Sequence, residues 1–328
     1  MSELQLTADY LLELCQRTFP NRAAIEIVRL EPLPSRQHEM VSFVMQWQDD
    51  QGMRKATSLV ARRYVSTISW WRPDDMGKAQ REWAITEWLS SVDFPVPQSL
   101  MRTFSSSGDV VLFRRLPGYD WHDLGLPFLD AVEPHAEAFA RLLAYLHSLT
   151  PPDEVRAVLP TVTLPTALAT LIALARRIDQ QDLIEAIELA LHHAYNVQEQ
   201  PPVILHGDYH FSNALLHDGE ISGIIDWEFC ALGDPRWDVA NAYMQLVDFD
   251  AAHAADIFLQ TYLEQSGRRF EGPPLYNAVA PLQQWTISEW LVHQGEVGES
   301  MSFALAEDLI DLRDVHRRRA ERALRSLS

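Results

Sequence analysis

The sequence predicts an α+β protein of two lobes, a small β-rich lobe over residues 1–116 and a larger, mainly helical lobe over residues 117–328. Short apolar runs with strand-like alternation dominate the first part of the chain, whereas apolar residues recur at helical spacing through most of the second. The change falls at Leu116-Pro117-Gly118, where the acidic excess of the chain also begins. A chain of this length can form one large domain or two lobes with a sizeable core.

The N-terminal lobe is predicted to contain two helices and five strands. Thr7 is a suitable N-cap for an amphipathic helix over residues 7–19, and a second helix is expected over about 75–90. The tetrad Asp49-Asp50-Gln51-Gly52 predicts a hairpin turn. The segment Phe94-Pro95-Val96-Pro97 ends the second helix, because proline disfavours helical geometry in the residue before it. The expected strands cover residues 25–30, 40–47, 57–64, 99–104 and 110–116.

The C-terminal lobe is predicted to be helical apart from three short strands. Helical periodicity covers residues 133–149, 164–195, 237–247, 252–264, 274–294 and 302–327. Only residues 203–205, 214–216 and 221–225 have the pattern of strands in this half. The basic group His316-Arg317-Arg318-Arg319 is interpreted as a solvated helix end.

Composition favours a cytoplasmic protein. The hydrophobic fraction of 47% and the charged fraction of 22% are ordinary for a globular protein, and no apolar run approaches the roughly 18–20 residues of a membrane span. The first residues are acidic, with no basic start that leads into an apolar signal core. Cys15 and Cys230 are the only cysteines, so neither a disulfide framework nor a cysteine metal cluster is expected.

The net charge of −19 is confined to one part of the chain. Residues 1–116 contain 14 basic and 14 acidic side chains, whereas residues 117–312 carry a net charge of −23. A domain this acidic repels nucleic acid and anionic membranes, so neither is an expected partner, and it attracts cations. The alternative is that the acidic side chains only keep a helical surface soluble.

The stretch His206-Gly207-Asp208-Tyr209-His210-Phe211-Ser212-Asn213 carries the functional signal, together with Asp226 after the apolar run 221–225. Phosphoryl transfer needs a group that accepts the proton of the attacking hydroxyl, and oxygen ligands that hold Mg²⁺ on the nucleotide phosphates. Asp208 is the candidate base, and Asn213 and Asp226 are the candidate metal ligands. The alternative is that Asp208 caps a turn and Asn213 holds a loop.

These motifs, with Ile224-Ile225-Asp226-Trp227-Glu228 and Gly233-Asp234-Pro235-Arg236-Trp237-Asp238, resemble the aminoglycoside phosphotransferase and choline kinase-like branch of the protein-kinase superfold. The resemblance implies a bilobal kinase-like fold that binds ATP and Mg²⁺ between its lobes. It also implies that His206, His210, Asp234 and Asp238 support the loop rather than catalyse. It leaves the acceptor open, because the branch includes kinases for antibiotics, amino alcohols, sugars and a few proteins.

The nucleotide-holding residues are less conventional. Kinases place a cation on the third strand and pair it with a helix glutamate; here Arg62-Arg63 occupies that strand instead of lysine, and Arg62 is preferred on the family pattern. Glu82 is its first candidate partner and Glu87 the second. The only lysines, Lys55 and Lys78, do not suit the position well.

The remaining nucleotide contacts are assigned from the resemblance. The segment that would cover the phosphates, residues 33–39, contains no glycine, and Ser35, Arg36 and Gln37 are its candidate donors. The inter-lobe connection at residues 113–116 would present backbone groups of Arg114 and Leu116 to adenine.

The acidic C-terminal lobe predicts a small, cationic or amine-bearing acceptor. Its candidate contacts are Asp120, Asp123, Glu228 and Glu289. Two alternatives stay open: a protein serine or threonine kinase of the same branch, and a kinase-fold binding module with little turnover. The oligomeric state is not predicted.

Overall fold

The computed structural model describes residues 6–35, 38–66, 69, 71–72, 74–104, 108–270, 275–293 and 303–327, with side chains from residue 313 onward in the last range. The chain forms two compact units, each discontinuous in sequence. The first comprises residues 1–67, 76–120 and 213–228, and the second comprises residues 68–75, 121–212 and 229–328. The first is rich in strands and the second is mainly helical, which confirms the α+β, two-part fold.

The first unit is built on an antiparallel sheet of five strands in the order β1-β2-β3-β5-β4. The strands are β1 Ala23–Pro32, β2 His38–Gln48, β3 Arg54–Tyr64, β4 Ser99–Thr103 and β5 Asp109–Arg114. The predicted turn joins β2 to β3: the Asp49 side chain accepts from the backbone N–H groups of Gln51 and Met53. Gly52 supplies the positive φ of +72° that such a turn requires.

Helices cover the two faces of this sheet. Helix α1, Ala8–Thr18, begins at its predicted N-cap Thr7 and packs Leu11 and Leu14 against the face that carries Leu59 and Ala61. Helix α2, Lys78–Ser91, lies against the other face, where Ala79 joins the cluster of Tyr64, Val111 and Phe113. Because side chains alternate along a strand, Arg62 shares the α2 face and Arg63 does not.

A hairpin from late in the chain completes the first unit. Strands β7, Ala214–His217, and β8, Glu220–Ile224, pair antiparallel. The Ile224 N–H donates to the carbonyl of Pro95, and Tyr119 pairs with Leu216. These two strands were expected in the C-terminal lobe, but they belong to the first unit because their partners lie in the segments after α2 and β5.

The second unit consists of helices and a two-stranded sheet. Its strands are β6 Val203–Leu205 and β9 Ala231–Gly233, which pair antiparallel. Its helices are α3 Phe128–Val132, α4 Ala136–Leu146, α5 Asp153–Arg156, α6 Leu164–Arg177, α7 Gln181–Ala194, α8 Arg236–Asp248, α9 Ala252–Ser266, α10 Leu275–His293 and α11 Phe303–Arg325. Its main apolar core joins α6, α7, α8, α10 and α11. Among the described residues, no helix combines the length and the apolar character needed to cross a membrane.

Three expectations for the second unit were wrong. Strand β9 was not predicted, since three residues of Ala-Leu-Gly show no alternation. The single helical region 164–195 is two helices, which are separated where Asp179 adopts a positive φ of 54°. The basic group on α11 is not a solvated helix end: His316 is buried, and both His316 and Arg319 face the buried Asp248.

Candidate active site

Asp208 lies in the loop of residues 206–213, which follows β6 and precedes β7. Its side chain is only 16% exposed, and Nε2 of His210 lies 3.4 Å from its Oδ2 atom. The backbone N–H of Asp208 donates to Nδ1 of His206 at 3.3 Å. The two histidines expected to support the loop therefore both contact the candidate base.

Asp238, in the first turn of α8, holds the start of this loop. Its carboxylate accepts the backbone N–H of His206 at 2.7 Å and that of Gly207 at 2.9 Å. His147 lies on the other side, with Nε2 3.3 Å from Oδ2 of Asp238 and Nδ1 2.8 Å from the hydroxyl of Tyr262. A neutral imidazole satisfies both contacts, with Nε2–H donating and Nδ1 accepting. Burial lowers the pKa of His147, which agrees with a neutral ring.

Gly207 is required where the loop leaves β6. Its φ is +85°, and a Cβ atom there would overlap the carbonyl oxygen and side chain of Phe229. Any other residue would be strained in this conformation and would displace the backbone beside it. The glycine before Asp208 therefore allows the loop to turn close to the chain that follows β8.

Asp234 contacts the start of helix α8, one of the two elements that it and Asp238 were expected to brace. Its carboxylate accepts hydrogen bonds from the Arg236 guanidinium, at 2.7 Å for the shortest, and from the backbone N–H of Gln200 at 2.7 Å. These contacts fix the start of α8, on which Asp238 lies one turn later. Asp234 thus supports the helix, whereas Asp238 supports the loop.

Asn213 and Asp226 lie at the open end of the β7–β8 hairpin. Ala214 pairs with Ile224, and the carbonyl of Asn213 accepts the N–H of Ile225 at 2.9 Å, so the strand pairing continues up to these two residues. Asp226 has a φ of 73°, an uncommon conformation for a residue with a side chain and one that recurs at functional sites. An amide oxygen and a carboxylate at one hairpin end are the kind of hard donors that Mg²⁺ prefers, so the donor set fits that ion.

Arg62 forms the pair that was expected with Glu82. Its Nη1 atom lies 3.1 Å from Oε2 of Glu82 and 2.5 Å from Oδ1 of Asp226. The hydroxyl of Tyr64 also donates to Glu82. Arg63 points to the other side of the strand and pairs with Glu39 at 2.6 Å, and Glu87 is exposed on α2. The pair between β3 and α2 is therefore formed by Arg62 and Glu82, and not by Arg63 or Glu87.

The second arm of Arg62 is held by Glu228. Nη2 of Arg62 lies 2.7 Å from Oε1 of Glu228. The other oxygen, Oε2, lies 2.9 Å from Nζ of Lys78 and 2.7 Å from Nε2 of His38. All four side chains are at least 95% buried. Burial by itself would raise the pKa of Glu228, but the charges of Lys78 and Arg62 outweigh it and hold this pKa well below its ordinary value.

The other candidates for nucleotide contact are Ser35, Arg36, Arg114 and Leu116. The Ser35 hydroxyl accepts the backbone N–H of His38 at 3.1 Å. Arg36 lies outside the described residues. Arg114 ends β5, where its backbone and its guanidinium both donate to Gln98, and Leu116 lies two residues further, with its side chain over Gly223. Their roles toward a nucleotide stay predictions.

Two of the four acidic acceptor candidates are engaged inside the protein. Glu228 is enclosed by the cations described above, so its carboxylate is not available to an acceptor. Glu289 is 8% exposed, accepts from Nε1 of Trp285 at 3.0 Å and lies 3.8 Å from Arg313. Asp120 is half-buried and Asp123 is exposed, so these two remain candidates.

Sequence reasoning missed Lys78 and His38. Lys78 begins α2 and is 1% exposed although it is a lysine, and His38 begins β2 and is 7% exposed. His38 lies in the segment 33–39, but other residues were its candidate donors, and the shared partner Glu228 is about 150 and 190 residues away from Lys78 and His38 along the chain. The available signal was Glu228 itself, an acidic residue four positions after β8 and next to the buried Trp227.

Known phosphotransferases resemble this chain in sequence pattern and in fold. The sequence model of a phosphotransferase enzyme family matches residues 40–279. One curated protein, "Probable acyl-CoA dehydrogenase IBR3" of Arabidopsis thaliana, is 30% identical over 92 residues, which are 26% of this chain. The chain spans about a tenth of the length of that relative, since the match covers 11% of it.

Solved structures show the same fold at low sequence identity. Aminoglycoside phosphotransferase APH(4)-Ia is 18% identical, with 98% of this chain and 100% of that chain covered and a TM-score of 0.62. Spectinomycin phosphotransferase APH(9)-Ia, in complex with ADP and spectinomycin, is 12% identical, with 97% and 99% covered and a TM-score of 0.60. Macrolide 2'-phosphotransferase MphH of Brachybacterium faecium is 19% identical, with 90% and 99% covered and a TM-score of 0.54.

Proposed function

Because this chain belongs to the phosphotransferase enzyme family, we propose that it transfers the terminal phosphoryl group of ATP to a hydroxyl of a small molecule. The observation that carries the proposal is the 206–213 loop. Its backbone is fixed by Asp238, and it presents Asp208 and, five residues later, Asn213. This is the spacing of a base and a metal ligand in kinase catalytic loops.

Asp208 is the proposed base. The acceptor hydroxyl donates a hydrogen bond to its carboxylate, and its oxygen attacks the terminal phosphorus as the bond from that phosphorus to the bridging oxygen of ADP breaks. The hydroxyl proton passes to Asp208, and ADP leaves with the electron pair of the broken bond. A positioned base of this kind contributes about 10²–10⁴-fold to a rate.

Asn213 and Asp226 are the proposed ligands of Mg²⁺, which would neutralise charge on the phosphate oxygens when bound. Arg62, held by Glu82, would bind phosphate oxygens with its planar guanidinium. Ser35 and Arg36 are proposed to approach the phosphates, and the backbone at Arg114 and Leu116 is proposed to bind adenine. A cytoplasmic location fits this use of ATP.

A cationic or amine-bearing acceptor is the proposed substrate class. Its support is the net charge of −23 over residues 117–312, with Asp120 and Asp123 as surface carboxylates. A protein acceptor is less favoured, because the chain from Asp226 to Asp234 is taken up by the short helix Trp227–Phe229 and strand β9, which leaves no room for an activation segment. The alternative, a kinase-fold binding module with little turnover, is tested by whether the chain transfers phosphate.

The test is a phosphate-transfer screen over aminoglycosides, amino alcohols, sugars and a generic protein substrate, run with the wild-type chain and with Asp208→Asn. We expect transfer to an amine-bearing acceptor by the wild type and none by Asp208→Asn. The variant should keep nucleotide binding, measured as a shift in melting temperature with ATP and Mg²⁺. Full activity in Asp208→Asn would contradict the assigned base, and no ATP-dependent shift in the wild type would favour the binding module.

A further inference from the structure

Glu228 is held in place from four directions within the first unit. Its side chain accepts from Arg62 on one oxygen and from Lys78 and His38 on the other, at 2.7–2.9 Å. Its backbone carbonyl accepts Nη2 of Arg81 at 3.0 Å. These donors come from β2, β3 and α2, so Glu228 ties two strands and a helix to the segment that follows β8.

The ring of His38 is also fixed. Its Nδ1 atom accepts the backbone N–H of Val65 at 3.3 Å, so Nε2 carries the hydrogen that it donates to Glu228. Lys78 is 1% exposed and is committed to the interior. We call the group of Glu228, Lys78 and His38 the Glu228 anchor.

The anchor accounts for the arginine on the third strand. Arg62 uses Nη1 for Glu82 and Asp226 and uses Nη2 for Glu228. A guanidinium has two arms in one rigid plane, whereas a lysine has a single nitrogen and no plane that its partners could fix. The carboxylates of Glu82 and Glu228 therefore define the plane of the Arg62 guanidinium.

We propose that Glu228, held by Lys78 and His38, is a positioning residue that fixes the Arg62 guanidinium for nucleotide phosphates. The proposal rests on the proposed function, since it concerns the nucleotide of that reaction. Glu228 acts through Arg62 and does not itself touch the nucleotide.

A purely electrostatic role for Glu228 makes the opposite prediction. Removal of a negative charge next to a phosphate-binding cation strengthens the attraction for a polyanion. If Glu228 only contributed charge, Glu228→Gln would bind nucleotide more tightly. If Glu228 positions Arg62, the same variant binds nucleotide more weakly, because one arm of the guanidinium is no longer held.

The experiment measures the Kd of ADP in the presence of Mg²⁺ by calorimetry for the wild type and Glu228→Gln. We expect the variant to bind about tenfold more weakly, the loss typical of one hydrogen bond to a charged group. Its KM for ATP should rise with a smaller change in kcat once an acceptor is known. Glu228→Asp keeps the charge and should recover part of the affinity. Unchanged or tighter ADP binding by Glu228→Gln overturns the proposal.

Glu26→Gln is the control. Glu26 on β1 pairs with Arg54 at the other end of β3 at 3.5 Å, and the substitution is the same chemical change on a partner of the same strand, away from residues 33–39. We expect this variant to keep wild-type ADP affinity. An equal loss of affinity in both variants would mean that general loosening of β3 is responsible, and would overturn the proposal.

Glu228→Asp keeps the inference testable if Glu228→Gln folds poorly. It retains the charge, so ADP affinity below that of the wild type indicates lost positioning of Arg62, and wild-type affinity overturns the proposal. Arg62→Lys tests whether Glu228 acts through Arg62. This variant retains the charge but loses one arm, so it should also bind ADP more weakly, and Glu228→Gln added to it should have little further effect. Independent, additive losses would contradict an action of Glu228 through Arg62. A wild type that does not bind ADP overturns the proposed function and this inference together. A wild type that binds while Glu228→Gln binds equally well overturns the inference alone.

Discussion

Two buried carboxylates, Glu228 in the first unit and Asp238 in the second, use different chemistry for a similar task. Each accepts a hydrogen bond from a buried imidazole, His38 for Glu228 and His147 for Asp238. The remaining partners of Glu228 are the charged groups of Arg62 and Lys78. The remaining partners of Asp238 are two backbone N–H groups of the 206–213 loop.

The difference separates positioning of a side chain from positioning of a backbone. An ion-pair network orients Arg62, a long side chain that would otherwise have many rotamers, by opposing it with fixed charges. Backbone N–H groups carry no net charge, so fixed charges around them cannot orient them as they orient Arg62. A carboxylate that accepts hydrogen bonds from two successive N–H groups instead fixes the direction in which the chain leaves β6. The first arrangement leaves uncompensated charge when it is disrupted, and the second leaves unpaired dipoles.

The largest expected effect is that of Glu228→Ala. Removal of this carboxylate takes a partner from two buried cations, and breaking a buried ion pair typically costs about 3–5 kcal/mol of unfolding free energy. Urea denaturation followed by tryptophan fluorescence measures this loss. Lys78→Met added to Glu228→Ala should restore part of it, because it removes one of the affected charges. A loss below about 1 kcal/mol, the size of an exposed pair, would contradict the network described here.

Asp238→Ala should have a comparable effect on stability and a severe one on phosphoryl transfer. It leaves the N–H groups of His206 and Gly207 buried without this acceptor, at about 1–3 kcal/mol for each group. His147→Phe added to it should not restore stability, because the affected groups belong to the backbone. Recovery of stability in that double variant would remove the distinction between the two carboxylates.

The two imidazoles predict a shared pH dependence. Burial lowers the pKa of both His38 and His147, so the unfolded chain binds protons that the folded chain does not. Their stabilisation is complete above the unfolded pKa of about 6.5 and is lost as the pH falls from there toward the folded pKa, at up to about 1.4 kcal/mol per pH unit for each ring.

The matched variants His38→Gln and His147→Gln keep a donor near the Nε2 position and cannot titrate. Each should lose less unfolding free energy than the wild type between pH 7 and pH 5, measured by urea denaturation at both values. If a variant loses as much unfolding free energy as the wild type between these pH values, the histidine that it replaces is charged in the folded wild type.

The smallest expected effect is that of a surface pair. Arg141 and Glu137 lie 2.7 Å apart on α4, four residues apart, and both side chains are about 60% exposed. Glu137→Ala should change the unfolding free energy by no more than about 0.5 kcal/mol. The same denaturation measurement on this variant provides a baseline for an exposed pair. A loss of unfolding free energy as large as that of Glu228→Ala would show that the distance between the charges, and not their burial, decides the strength of these pairs.

Features encoded by neighbours along the chain were predictable from the sequence. Thr7 caps α1, the Asp49–Gly52 turn joins two strands, and strand alternation puts Arg62 and Arg63 on opposite faces of β3, whereas the choice of Arg62 came from the family pattern. Each depends on a local rule about a few adjacent residues. The five strands of the first sheet follow from the same kind of rule.

Features that depend on distant partners were not predictable. Lys78 is buried only because Glu228 lies beside it, although the two residues are 150 positions apart in the chain. Strand β9 exists because β6 offers it a partner, and the break between α6 and α7 has no glycine or proline to mark it, since Asp179 itself adopts the left-handed conformation. A single sequence does not show which distant residues are in contact, so these partners could not be identified from it.

The discontinuity of the first unit has a consequence for synthesis of the chain. Residues 1–67 and 76–120 leave the ribosome well before residues 213–228. At about 5–20 residues per second, the roughly one hundred residues between them take on the order of 5–20 seconds to add. During that interval Arg62, Lys78 and Glu82 have been made, but the shared partner Glu228 has not. All five strands of the sheet are made before the β7–β8 hairpin that completes the first unit. A chaperone that binds the unfinished N-terminal half would act within this window.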